Sequence, residues 1–160
     1  MIVEYSNIAD SAKVFIYPSS RKFYTTETKE LKEKIQQFLE NWSLHNTPNI
    51  SHKFLYDRFI IFFIDDSEAP LKNKSVDTIV SFILSLETSY KIVLLDKMNV
   101  CFKQGKYVQY KELKDFKGLL KNNALSEKSI VFDNLVSSKL DFENYWETTI
   151  ADSWYSRFIK

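Results

Sequence analysis

At 160 residues the chain is long enough to bury a sizeable core, and we expect residues 1–160 to form a single globular domain. Hydrophobic residues make up 44% of it and aromatic residues 16%, which excludes a disordered chain. The net charge of +1 provides no electrostatic basis for nucleic acid or an anionic membrane as a partner.

Several kinds of site are excluded by the residue types that the chain lacks. Its two glycines, Gly105 and Gly118, cannot form a Walker A loop or a dinucleotide-binding loop, because both need closely spaced glycines that let the backbone approach phosphate. A lone Cys101 permits neither an internal disulfide nor a cysteine-based zinc site. The sequence therefore predicts no cofactor and no metal centre.

The sequence also gives expectations about location. Its longest apolar run covers six residues, which is far short of a membrane span. Residues 1–5 lack the basic and apolar regions of a secretory signal. We expect a soluble protein of the cytoplasm.

In chain order, the first predicted elements are a strand and a helix. The strand covers residues 13–17 and is stopped by Pro18, which cannot donate to a ladder. Thr26 is the predicted N-cap of the helix, because carboxylates follow in the first turn, where they suit the helix dipole. Apolar residues then recur at spacings of four, three and four and form one stripe, which consists of Leu31, Ile35, Phe38 and Trp42.

The longest apolar run, Phe59–Ile64, consists entirely of β-branched and aromatic residues. A strand covered on both faces is apolar throughout, whereas a half-buried strand alternates. We therefore expect this run to be the central strand of a sheet. The alternation upstream predicts that the strand starts near His52, with either an exposed portion or a bulge at Asp57–Arg58. A tight hairpin is not favoured there, because no Asn-Gly or Asp-Gly is present.

The second half of the chain predicts shorter elements. Ser75 is the predicted N-cap of a helix with Asp77 in its first turn, and its apolar stripe again follows the four, three, four spacing. The later elements are a strand at 92–95, a hairpin of 99–103 with 107–111 around Gly105, a helix over 113–120, a strand at 130–132, a helix from Ser138 to Trp146, and an aromatic tail over 153–158 that docks on the body.

This order of elements predicts an α/β or α+β fold with a mixed sheet flanked by helices. The first half suggests a crossover unit with parallel strands, and the hairpin adds antiparallel strands. A ferredoxin-like two-layer α+β fold is the alternative.

Six stretches of the chain together match the pattern of a known family: 13–21, 42–45, 58–60, 75–83, 131–136 (which includes Asn134) and 153–158. They resemble a family of small bacterial proteins that has no established activity and whose members are often labelled "ABC transporter ATPase". The resemblance runs over nearly the whole chain, but no Walker motif supports the label. In the family pattern a cysteine precedes the serine that corresponds to Ser75, and a histidine stands where this chain has Tyr155. This sequence has Lys74 and Tyr155, so the resemblance implies no cysteine or histidine chemistry at these positions.

Two carboxylates, Asp65 and Asp66, follow the central run, where open sheets place their ligand crevices. Adjacent strand residues point to opposite faces, so the two cannot easily share a site, and solvated residues that end a strand explain them better. Of the two, Asp65 is expected to face the space between Ser75 and the C-terminal tail. Ser75 with Asp77 suggests a nucleophile, but a helix start explains the pair better. A Ser75–His45 pair has no motif behind it.

Arginine is rare in this lysine-rich chain, with three arginines against nineteen lysines. An arginine therefore indicates a position where a planar, bidentate donor is needed. If the tail folds back over the strand ends, Arg21, Arg157 and Trp154 meet the start of the Ser75 helix and form an anion pocket with an aromatic wall. The competing explanation is that Trp154 anchors the tail while the arginines form structural ion pairs.

These patterns favour a binding or interaction module that recognises a small anionic ligand or a partner protein. The alternative is a small hydrolase or transferase that acts on an anionic metabolite. Convergence of the candidate residues in one concavity favours the enzyme, and their dispersal favours the module. The candidate ligand-binding residues are Arg21, His45, Asp65, Ser75, Asp77, Asn134, Trp154 and Arg157.

Overall fold

A computed structural model describes residues 1–96 and 98–159, which form an α+β fold with two antiparallel sheets. The first sheet has the order β1-β3-β2 and the second has the order β5-β4-β6-β7. The strands are β1 (Lys13–Pro18), β2 (Asn49–Leu55), β3 (Phe59–Asp65), β4 (Val100–Gln104), β5 (Tyr107–Lys111), β6 (Ile130–Phe132) and β7 (Glu147–Thr149). The helices are α1 (Thr25–His45), α2 (Asn73–Tyr90), α3 (Leu113–Lys121) and the short α4 (Lys139–Asp141).

Strand β3 is the centre of the molecule, as its sequence predicts. Its six apolar residues are fully buried, and β1 and β2 flank it on both edges. Because side chains alternate along a strand, Ile60, Phe62 and Ile64 pack with α1 and α2. Phe59, Ile61 and Phe63 instead face the second sheet.

The fold consists of four layers. Helices α1 and α2 cover the outer face of the first sheet, and the inner faces of the two sheets pack against each other around Cys101, Phe132 and Trp146. The outer face of the second sheet packs against α3 and the C-terminal residues, including the fully buried Tyr155. The prediction that the aromatic tail docks on the body is confirmed. A second sheet, rather than a helix, covers the inner face of β3.

The parallel pairing expected in the first half is wrong. Strands β1 and β2 do run in the same direction with α1 between them, but β3 is inserted between the two and pairs antiparallel with both. This arrangement is a split β-α-β unit, which the ferredoxin-like alternative shares. The segment 92–95 was predicted as a strand but is a loop, in which Glu87 accepts hydrogen bonds from the backbone N–H groups of Leu94 and Leu95.

A hairpin connects β2 to β3, which contradicts the expectation of one long strand. Its turn is built from Tyr56 and Asp57, both with positive φ (56° and 50°), and the N–H of Arg58 donates to the carbonyl of Leu55 over 3.0 Å. Turns of this hand are usually built with glycine or asparagine, so their absence concealed the hairpin.

Three helix boundaries also differ from the sequence prediction. Helix α1 begins at Thr25 rather than after a Thr26 cap, and α2 begins at Asn73, so Ser75 is its third residue. Ser138 does cap α4, but the chain continues as a π-helical turn over Phe142–Trp146. The β4–β5 hairpin around Gly105, α3 and β6 are confirmed.

Within the described ranges, no helix is long and apolar enough to cross a bilayer.

Candidate functional site

A concavity lies where the end of α1 meets the start of α2. The apolar stripe of α1 ends at Trp42, which is buried, and this packing brings the following turn against α2. The concavity encloses about 480 Å³. We call it the α2 cavity, and its lining residues are Asn41, Trp42, His45, Asn46, Lys72, Lys74, Ser75 and Thr78.

A chain of hydrogen bonds fixes the two helices to each other at this cavity. The indole Nε1 of Trp42 donates to the carbonyl of Ser75 over 3.2 Å, and the Asn46 amide donates to the carbonyl of Trp42 over 2.8 Å. The Ser75 hydroxyl donates to Oδ1 of Asn46. Since each group is held by a buried or half-buried neighbour, the wall of the cavity is preorganised.

The α2 cavity is electropositive. Lys72 and Lys74 line it together with His45, and none of the described residues that line it carries a carboxylate. The backbone N–H groups of Asn73 and Lys74 have no hydrogen-bond partner in the described part of the chain, and no acidic residue stands in the first turn of α2. The positive end of the helix dipole and the two ammonium groups therefore act on the same space.

Ser75 and His45 both line the cavity, so the structure brings these two predicted residues together. They do not form a nucleophile–base pair, because the Ser75 hydroxyl donates to the Asn46 amide oxygen, which is not a base. His45 Nδ1 lies 3.0 Å from the carbonyl of Asn41 and must carry a proton to bond it, which leaves Nε2 without a partner among the described residues.

Arg21 does not reach Ser75. Its guanidinium forms a bidentate ion pair with Glu27 at 2.8 and 3.0 Å, and it also donates to the carbonyl of Tyr90. Hydrogen bonds from Arg21 hold the pKa of the Glu27 carboxyl below its usual range. Tyr90 ends α2, whereas Ser75 lies in its first turn, so Arg21 stands at the opposite end of that helix.

The two aspartates at the end of β3 also lie outside the α2 cavity. Asp65 accepts hydrogen bonds from the N–H and the hydroxyl of Ser67 and so closes a turn. Asp66 pairs with Lys13 at 2.8 Å. Asp77 is exposed on α2 and is not part of the cavity wall.

Asn134 and Trp154 belong to the other half of the molecule. The buried Asn134 accepts a hydrogen bond from the indole of Trp146 over 2.9 Å. Its Nδ2 has no hydrogen-bond partner at full geometry within the described ranges, but Asn134 lies close enough to the Cys101 thiol to act on its pKa. The N–H of Trp154 donates to Asp133, and Trp154 lies over the guanidinium of Arg157 at 4.0 Å. Asn134 therefore fixes Trp146, while Trp154 belongs to the packing of the C-terminal segment.

A larger cavity of about 680 Å³ lies between α3 and the C-terminal residues. Leu120, Leu125 and Phe158 form apolar parts of its wall, and Lys121 shares the wall with Glu127. It contains none of the residues predicted from the sequence, and its lysines already have a carboxylate nearby. Size alone does not make it the better candidate.

Sequence reasoning missed Asn46, Lys72 and the lining role of Trp42. One available signal was the Lys72-Asn73-Lys74 triplet, because two lysines around a helix start indicate an anion more strongly than the serine that follows. The position of Asn46 could not be read from the sequence, since it depends on how the end of α1 packs on α2.

Comparisons with protein-family models, with curated proteins and with solved structures find no match to this chain. The resemblance to the bacterial family therefore stays a prediction.

Proposed function

We propose that this protein is a binding module for a small oxyanion, a phosphate or carboxylate group, which it holds in the α2 cavity. The observation that carries the proposal is the combination of Lys72, Lys74 and the two N–H groups at the start of α2, which have no partner among the described residues. No described residue of the cavity wall carries a carboxylate. Such a helix start stabilises an anion through directed hydrogen bonds and through its dipole.

A binding role is preferred to the enzyme alternative for two reasons. The candidate residues are dispersed, since of the eight only His45 and Ser75 line the α2 cavity. The hydroxyl that could act as a nucleophile is engaged by an amide. A ligand would thus meet donors that orient and neutralise it, which is the chemistry of recognition.

The test compares two double substitutions with the same change of charge. Lys72→Ala with Lys74→Ala removes the ammonium groups of the cavity, while Lys29→Ala with Lys32→Ala removes two exposed lysines of α1. Calorimetric titration with inorganic phosphate, and then with organic monophosphates and dicarboxylates, should show binding by the wild type and by the α1 variant. The cavity variant should bind at least about tenfold more weakly, because each charge-assisted contact contributes about 1.5–3 kcal/mol.

Nuclear magnetic resonance locates the ligand in the same experiment. We expect the backbone amide signals of Asn73 and Lys74 to shift during the titration of the wild type. Equal affinity in the two double variants, or unmoved signals at these two amides, would contradict the proposal.

A further inference from the structure

Arg58 is a buried guanidinium at the other end of β3. It closes the β2–β3 hairpin immediately before the first residue of β3, and the residue is only 9% exposed. Its carbonyl accepts a hydrogen bond from the N–H of Ser19 over 3.0 Å, and its Nη1 donates to the carbonyl of Ser19 over 3.1 Å. The side chain is thus fixed to the end of β1.

Among the residues that the structure describes, no carboxylate compensates this charge. In the described ranges, no acidic group lies within 4.0 Å of Arg58, whereas Arg21 has Glu27. Burial lowers the pKa of Arg58, and the ionisable groups that act on it are Cys101 and Tyr110. Burial raises the pKa of both, that of Cys101 to about 12, so both are neutral at neutral pH. A buried cation without a counterion is costly, and such groups usually have a partner.

The unpaired edge of the guanidinium has the geometry that oxyanions bind. Ser19 occupies Nη1, while Nε and Nη2 make no hydrogen bond to any residue that the structure describes, and neither nitrogen is fully buried. These two nitrogens form one side of the guanidinium plane and direct two parallel N–H bonds outward, which matches the two oxygens of a carboxylate or phosphate group.

A further donor stands near Arg58. The hydroxyl oxygen of Tyr110 accepts a hydrogen bond from Nδ2 of Asn99 over 2.8 Å, so its own proton remains available. Tyr110 is the cross-strand neighbour of Cys101, and both residues pack with the layer between the sheets. Tyr110 is close enough to act on the pKa of Arg58, so a neutral hydroxyl lies in the surroundings of this cation.

We propose that the Nε–Nη2 edge of Arg58 is a second oxyanion site, which takes the carboxylate or phosphate group of a small ligand. It is separate from the α2 cavity, because Arg58 precedes β3 while the α2 cavity lies beyond the last residue of that strand. The inference does not depend on the proposed function of that cavity.

The three arginines make a direct test feasible, because the Nε–H region of a ¹H–¹⁵N spectrum should contain only three signals. Arg21→Lys and Arg157→Lys variants assign their own signals, and Arg58 follows by elimination without a variant at position 58. Titrations with sodium acetate and with sodium phosphate are run in the Lys72→Ala, Lys74→Ala background, so that the α2 cavity does not contribute.

The expected result is a saturable shift of the Arg58 Nε–H signal while those of Arg21 and Arg157 stay in place. A response to acetate alone identifies a carboxylate ligand, and a response to phosphate alone identifies a phosphate ligand. Arg58→Gln, which keeps a donor for Ser19, should weaken binding at least about tenfold. The proposal is overturned if neither anion moves the Arg58 signal, or if all three arginine signals move together without saturation.

Discussion

Each arginine of this lysine-rich chain has a different environment. Arg21 is neutralised by Glu27 and stacks on Tyr24 at 4.3 Å, and Arg157 stacks on Trp154 at the surface. Arg58 is buried and has no acidic partner in the described part of the chain. Rarity of arginine therefore indicated sites where a planar cation is needed, but it could not separate a structural ion pair from an unpaired donor, because the difference depends on which acids the fold places nearby.

His52 on β2 predicts a dependence of stability on pH. Burial lowers its pKa, and Glu4 acts in the opposite direction to a smaller extent. The unfolded chain, with an ordinary histidine pKa of about 6.5, then binds more protons than the folded one. The contribution of His52 to the free energy of unfolding is complete above the unfolded pKa of about 6.5. It is lost as the pH falls through the pKa of the folded state, with a slope of at most about 1.4 kcal/mol per pH unit for one proton.

Urea denaturation at pH 7.5 and pH 5 checks this prediction. His52→Gln should reduce the loss of unfolding free energy between these two conditions. His45→Gln alters an exposed histidine of α1 and serves as the control. An unchanged pH dependence in the His52 variant would show that other groups cause it.

At the scale of elements, we expect replacement of each of the two glycines by alanine to change the stability of the fold in opposite directions. A Cβ added at Gly118 in α3 meets no atom within 4 Å, and the same holds at Gly105 in the β4–β5 turn. Gly105 has a φ of +61°, which L-residues rarely adopt, while Gly118 lies in a helix. Gly118→Ala should therefore stabilise the fold by about 1 kcal/mol, and Gly105→Ala should destabilise it by about 1 kcal/mol.

Chemical denaturation of the two variants measures both effects under one protocol. The space around the new methyl group is open in both cases. If both substitutions change the free energy of unfolding in the same direction, backbone conformation does not decide their effect.

The elements that the sequence predicted well are those in which composition alone specifies burial. The run Phe59–Ile64 indicated the central strand because six consecutive apolar residues need cover on both faces. The hairpin at Tyr56–Asp57 was missed because its positive φ values are imposed by the pairing of β2 with β3 and not by glycine. The sequence predicted His45 and Ser75 as candidate binding residues, and both line the α2 cavity. Their convergence could not be predicted, because it depends on the packing of α1 on α2.

At the scale of the whole molecule, Cys101 reports on the contact between the sheets. The thiol is fully buried in the inner layer with Phe59 and Phe132. A disulfide reagent can reach it only when the layers separate, so we expect its reaction to be slower than that of a free thiol by a factor of about 10³ or more. Glutathione under the same conditions supplies the reference rate.

A substitution in the neighbouring layer tests whether the layers open together. Phe62→Ala removes a buried side chain on the helix-covered face and should cost about 3–5 kcal/mol. If the fold is cooperative, it should also accelerate the reaction of Cys101, although Phe62 faces away from that thiol. A rate unaffected by Phe62→Ala would indicate that the inner layer opens on its own.

The three tryptophans are distributed so that each belongs to a different layer. Trp42 packs under α1 and α2, Trp146 lies between the sheets, and Trp154 packs at the C-terminal face. The intrinsic fluorescence of three variants, each of which keeps a single tryptophan, would therefore report on the three regions separately, without any added dye. Trp42 is the most useful of the three, because its ring lines the α2 cavity and the wavelength of its fluorescence should shift when a ligand binds there.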